Sequence, residues 1–78
     1  MSNCKLSMSR VNKAGQPAIM ISMYWAPAEL HAVCENLGMT QDCTISNMQS
    51  IVTNDHAQIA SIQAALRPLF DNSGAYVG

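Results

Sequence analysis

Ala18-Ile19-Met20-Ile21-Ser22-Met23-Tyr24-Trp25 is the stretch on which the reading of this chain turns. If extended, it places Ile19, Ile21, Met23 and Trp25 on one side and Ala18, Met20, Ser22 and Tyr24 on the other. Both sides are then largely apolar, so a second strand or a covering layer has to meet each of them. The segment before it alternates more plainly. Cys4, Leu6 and Met8 fall on one side, with Lys5, Ser7 and Ser9 on the other, the period of a strand with one wet face. Between the two lies Asn12-Lys13-Ala14-Gly15-Gln16-Pro17, a run of turn residues in which Gly15 can take positive φ. The three pieces predict a β-hairpin over residues 3–25, with a loop longer than the two-residue ideal. The competing reading starts a helix at Pro17 and carries it through Trp25.

Downstream the period changes. Pro27 and Glu29 mark a helix start, Leu30, Val33, Cys34 and Leu37 repeat at helical spacing, and Gly38 supplies a stop. A short helix over 27–38 is expected. Ile45, Met48, Val52, Asp55, Ile59, Ile62, Leu66 and Leu69 then step by three and four, which predicts a long helix over 44–67. Asn54 and Asp55 are poor helix formers and good caps, which favours two helices breaking near Asn54 over a single continuous one. Pro68 ends the pattern. Residues 71–78 are expected to be a loose tail.

Composition limits what such a chain can do. Charged residues are 12% of 78, about half the roughly 25% of ordinary soluble domains, and the net charge is −1. Lys5, Arg10 and Lys13 fall in the first thirteen residues, and residues 14–78 carry one Arg against five acids. Four cations neutralise too few phosphates for a general nucleic-acid binder. A single domain of this length has a marginal core and usually needs a staple. Cys4, Cys34 and Cys43 are odd in number, with neither an apolar leader nor an Asn-x-Ser/Thr acceptor in the chain, so free thiols in a reducing cytoplasmic setting are expected. The longest apolar stretch, residues 18–28, is well short of a membrane-spanning helix. That leaves oligomerisation as the expected staple.

Motif by motif, chemistry is thin. A helix-turn-helix can be drawn through Ala28–Leu37, Gly38 and a second helix from Gln41 or Thr44. Gln41, Asn47 and Gln49 could then read bases, but residues 40–50 contain Asp42 and no Lys or Arg. His31, Cys34, Cys43 and His56 are zinc-ligand types at spacings that match no compact knuckle. Cys34 and His31 could touch on one helix, but no orienting acid or oxyanion turn accompanies them. Asp55-His56 reads as a helix cap. The six methionines, among them Met20 and Met23, suit either a small core or an adaptable binding surface.

The expected protein is therefore α+β, an N-terminal β-hairpin packed on two or three C-terminal helices and paired into a homodimer through Ile19, Ile21, Met23, Ile59, Ile62 and Leu66. The expected function, reached mainly by subtraction, is a non-catalytic module without cofactor or metal that regulates or inhibits a larger protein partner, as small inhibitors of phages and mobile elements do. Lys5, Arg10, Lys13, Tyr24 and Trp25 are the expected partner-binding residues, since Trp and Tyr anchor many interfaces. A dimeric helix-turn-helix regulator is the alternative.

Overall fold

The computed structural model describes residues 4–78. Two strands, β1 (Lys5–Lys13) and β2 (Gln16–Tyr24), open the chain and are followed by helix α1 (Ala28–Asn36). A second pair of strands, β3 (Thr40–Asp42) and β4 (Met48–Thr53), precedes helix α2 (His56–Leu66) and a 3-10 turn, Arg67–Leu69. The four strands form one antiparallel sheet in the order β1-β2-β4-β3. The protein is thus α+β, with two ββα units whose inner strands, β2 and β4, meet at the centre.

The hairpin expected from the sequence forms, and its start at residue 3 lies outside the described residues. Its loop is shorter than expected. Lys13 pairs with Gln16, leaving only Ala14 (φ 51°) and Gly15 (φ 80°) in the turn. Positive φ at both positions is the type I′ geometry, whose twist matches that of the flanking strands. Pro17 fits inside β2 because it faces Asn12 across a pair that exchanges no hydrogen bonds, and β4 reaches only as far as Ile19 on its other side. No N–H is missed at that point.

The helix expected over 44–67 is corrected in its first half. Residues 48–53 are a strand, and the break at Asn54 separates it from α2. Asp55 caps α2, its Oδ1 accepting from the Ala57 and Gln58 amides at 2.9 and 3.3 Å. Thr53 supports the corner, its hydroxyl accepting from the Asp55 amide and donating to Gln58 Oε1. At the end of α1, Gly38 (φ 85°) lets the Met39 and Gly38 amides return to the Cys34 and Glu35 carbonyls, a Schellman ending.

Both helices lie on one face of the sheet. Ile21 and Met23 of β2 join Cys4, Ala26, Leu30, Cys34, Met39, Ile62, Leu66 and Phe70 in one buried cluster, with Leu6, Ile19 and Ile51 packed against it. The tail is corrected too. Lys5 bridges to Ala75 and Phe70 to Tyr76, the Phe70 and Tyr76 rings meet edge to face at 5.6 Å, and the Tyr76 hydroxyl donates to Glu29 of α1 at 2.6 Å. The segment is tied down by its own core.

Four residues expected at a dimer interface, Ile21, Met23, Ile62 and Leu66, are fully buried within the chain itself, and Ile19 and Ile59 are half-buried. In β2, Ile19, Ile21 and Met23 turn to the helix-covered core, β1 and β4 pair along its two edges, and Met20, Ser22 and Tyr24 lie on the opposite face. Ile62→Ala and Leu66→Ala should each cost about 2–5 kcal/mol of stability by urea unfolding, because each leaves a cavity in the core. That loss should be independent of protein concentration, which an interface residue's would not be.

Candidate functional site

The sheet has one face without a helix among the described residues, and its composition follows from the registers. Ser7, Ser22, Ser50 and Thr40 form one row across all four strands. Ser9, Met20 and Val52 form the next, towards the β1–β2 turn. On the other side of the hydroxyl row, Lys5 faces Tyr24, and Met48 faces Asp42. Lys13 reaches across β2, its Nζ donating to the Val52 carbonyl at 3.3 Å. The face is therefore built of hydroxyls, thioethers and short aliphatic groups, with cations at the β1 margin.

The open face ends in an aromatic corner. Tyr24 is 42% exposed and Trp25 is 55% exposed. Trp25 sits at φ 60°, a left-handed conformation that bulky side chains rarely adopt and that costs on the order of 1–3 kcal/mol. Glycine would turn the chain there without strain, yet the position holds tryptophan. Its amide donates to the Ser46 carbonyl at 2.8 Å, which ties it to the β3–β4 turn. Ser46 and Asn47 in that turn are themselves left-handed, and Ile45 beside them is 47% exposed. Tyr24 at the end of β2, Trp25 just after it and Ile45 in the β3–β4 turn thus come to one end of the sheet. Sequence reasoning named the two aromatics and missed Ile45, which it placed on a helix seam.

The expected cations also converge. Lys5, Arg10 and Lys13 all lie on β1, and all three are exposed. Arg67 is the fourth cation, at the start of the 3-10 turn beneath the same strand. Among the described residues, none of the four forms an ion pair.

The chemistry considered for His31, Cys34, Cys43 and His56 finds a different setting. Among the described residues, no three His, Cys, Asp or Glu side chains come together to hold a metal. His31 Nε2 lies 3.0 Å from the Ala26 carbonyl, to which it donates, and its Nδ1 faces Gln41 Nε2 at 3.5 Å. Cys34 is fully buried, and burial together with nearby Cys4 pushes its thiol up to about 11. Such a thiol is almost wholly protonated at neutral pH and is a poor nucleophile. A helix-turn-helix needs a second helix after Gly38, and residues 40–42 and 48–53 are strands instead. Gln41 and Gln49 therefore face each other across a strand pair. Gln49 is fully buried, and neither of its amide atoms has a hydrogen-bond partner among the described residues, which marks a local cost in the core.

Comparison of the chain with protein-family models, with curated proteins and with solved structures finds no match.

The thiols give a direct check. In the native protein at pH 8, exposed Cys43 should react with a disulfide reagent at once and Cys34 only on unfolding. Folding keeps the Cys34 thiol neutral, so its contribution is intact below about pH 9 and is lost as pH rises towards 11. Through this thiol, stability measured by urea should fall by about 2 kcal/mol over that interval, and the fall should be smaller in Cys34→Ala, where the raised Cys4 thiol and Tyr76 hydroxyl still contribute.

Proposed function

We propose that this chain is a non-catalytic protein-binding module that regulates or inhibits a larger protein partner. The observation that carries the reading is Trp25, held exposed in a strained left-handed backbone beside Tyr24 and Ile45. Strain of this kind persists where the surrounding structure enforces it, and an exposed aromatic pair on a rigid corner is a suitable anchor for an interface. The low charge of the chain supports the same reading, because little of its surface is dedicated to water. The odd cysteine count and the neutral, buried Cys34 thiol support a reducing, cytoplasmic setting. No helix among the described residues is long and apolar enough to cross a membrane.

A homodimer belongs to this proposal in a revised place. The open sheet face ends one row in Lys5 next to Tyr24 and in Asp42 next to Met48. A second copy stacked on that face about a two-fold axis parallel to the strands would bring each cation over an acid.

Trp25→Ala should lose a partner captured by cross-linking from the native host with melting unchanged, whereas Trp25→Gly, which alone removes the Cβ, should also raise melting by relief of strain. An unchanged set of captured proteins, or an unfolded variant, would remove Trp25 as the anchor. Light scattering at low micromolar concentration decides the dimer, and a monomer that melts cooperatively would end that part of the proposal.

A further inference from the structure

The outer edge of β1 carries a backbone pattern that the described residues leave open beyond Leu6. The Leu6 amide donates to the Gly74 carbonyl at 2.8 Å, and the Cys4 carbonyl accepts from the Tyr76 amide at 2.9 Å. Even-numbered residues of β1 therefore direct their backbone groups away from β2, and odd-numbered ones towards it. The tail uses this edge at residues 4–6 and then leaves it, turning at Gly74 (φ 87°), where a Cβ would come within 3.3 Å of the Leu6 carbonyl. The same alternation turns the N–H and C=O groups of Met8, Arg10 and Asn12 outward, and all three residues are exposed. Such a row is complementary to another peptide backbone.

What flanks this edge is specific. Where the tail departs, a pocket of about 530 Å³ opens beneath β1, lined by Leu6, Met8, Phe70, Gly74, Asp71 and Arg67. A strand added beside residues 7–12 would set alternate side chains on the helix side, next to Met8, Arg10 and this pocket, and the others on the open side, between Lys5 and Lys13. Lys5, Arg10 and Arg67 thus border the edge without ion-pair partners among the described residues, while the Lys13 ammonium reaches the other way, over β2 to the Val52 carbonyl. Asp71, the one acid in the pocket wall, is engaged by its own turn. The Ser73 hydroxyl and amide and the Ala75 amide donate to its Oδ1, and the Ser73 hydroxyl first among them holds the carboxyl below the ordinary range.

We propose that the free edge of β1 binds an extended acidic segment of a partner protein, which adds to the sheet as a fifth strand with carboxylates facing Arg10 and Arg67 on one side and Lys5 on the other. The inference rests on the protein-binding reading and adds the partner's chemistry to it. A second copy of β1 fits poorly, because antiparallel pairing would set three cations against three. A nucleic acid supplies phosphates but not the alternating donors and acceptors the edge matches. The same cations that repel a like strand select an oppositely charged one.

The test uses the full chain, isotope-labelled for NMR, and a blocked peptide of alternating glutamate and valine, with a lysine–valine peptide and a thymidine oligonucleotide as controls. The glutamate peptide should shift the amides of Met8, Arg10 and Asn12 and slow their hydrogen exchange. The Arg10→Glu, Arg67→Glu double variant should weaken this binding about tenfold or more. Arg10→Pro removes one outward N–H at an edge position where proline is tolerated, and should weaken binding while the spectrum stays dispersed. The inference is overturned by a folded protein whose edge ignores the glutamate peptide, or responds equally to the lysine peptide or the oligonucleotide. Edge shifts that grow with protein concentration alone would assign the edge to a second copy and overturn it too. Trp25-dependent capture that persists alongside a silent edge would leave the protein-binding reading standing and remove only this inference.

Discussion

The pairing of β2 with β4 is the constraint on which the rest of this structure depends. A two-stranded hairpin is marginal in water, and the β1–β2 hairpin becomes part of a stable sheet only when residues 48–53 close onto Ile19–Met23. That contact joins the two ββα units and makes β2 a central strand. It also sets Ile21 against Ile51 and Met23 against Gln49, creating the face on which both helices bury Leu30, Cys34, Ile62 and Leu66. One set of ladder hydrogen bonds thus brings together apolar residues from both halves of the chain.

A small chain assembled in this way has one covered face and one open face, and its function has to be read from what the covering leaves outside. The open face is lined by hydroxyls, Met20 and Val52, ends at Tyr24 and Trp25, and is bordered by Lys5 and Lys13 along β1. The acids are distributed elsewhere. Glu29 receives the Tyr76 hydroxyl, Asp55 caps α2, and Asp42 and Asp71 hold turns. Four of the five carboxylates therefore serve local structure, while Lys5, Arg10 and Arg67 have no comparable task. The low charge of the chain reads differently after this accounting. It reflects a fold whose anions stabilise turns and caps and whose cations are left at an edge.

Legibility in the sequence varied with how much each segment's neighbours share its periodicity. The alternation of residues 4–11, the turn residues around Gly15 and the Leu30-Val33-Cys34-Leu37 spacing each reflect a single environment along their length, and each element forms where expected. Residues 48–53 do not. Gln49 and Thr53 face the core while Met48 and Val52 face the open side, so neither period two nor its absence could be read from polarity. The steps of three and four from Ile45 to Leu69 ran through this strand by coincidence and made the segment before the break look helical. Of the candidate site, Tyr24, Trp25 and the three early cations were visible as residue types. Ile45 and Arg67 were not, because they reach the site through turns.

Local chemistry in the sequence by itself determined the hairpin, the first helix, the cap at Asp55 and the lack of charge for broad phosphate binding. These depend on neighbours a few residues apart, where propensity and spacing act directly. Only the tertiary structure decided that Ile21, Met23, Ile62 and Leu66 belong to one core and not to a dimer interface. It likewise decided that the C-terminal tail pairs with the start of β1 and, among the described residues, leaves the remainder of that edge open. The physical reason is that a strand's two faces and two edges are satisfied by segments remote in sequence. A side chain's burial, and an edge's freedom, are then settled only when those segments arrive.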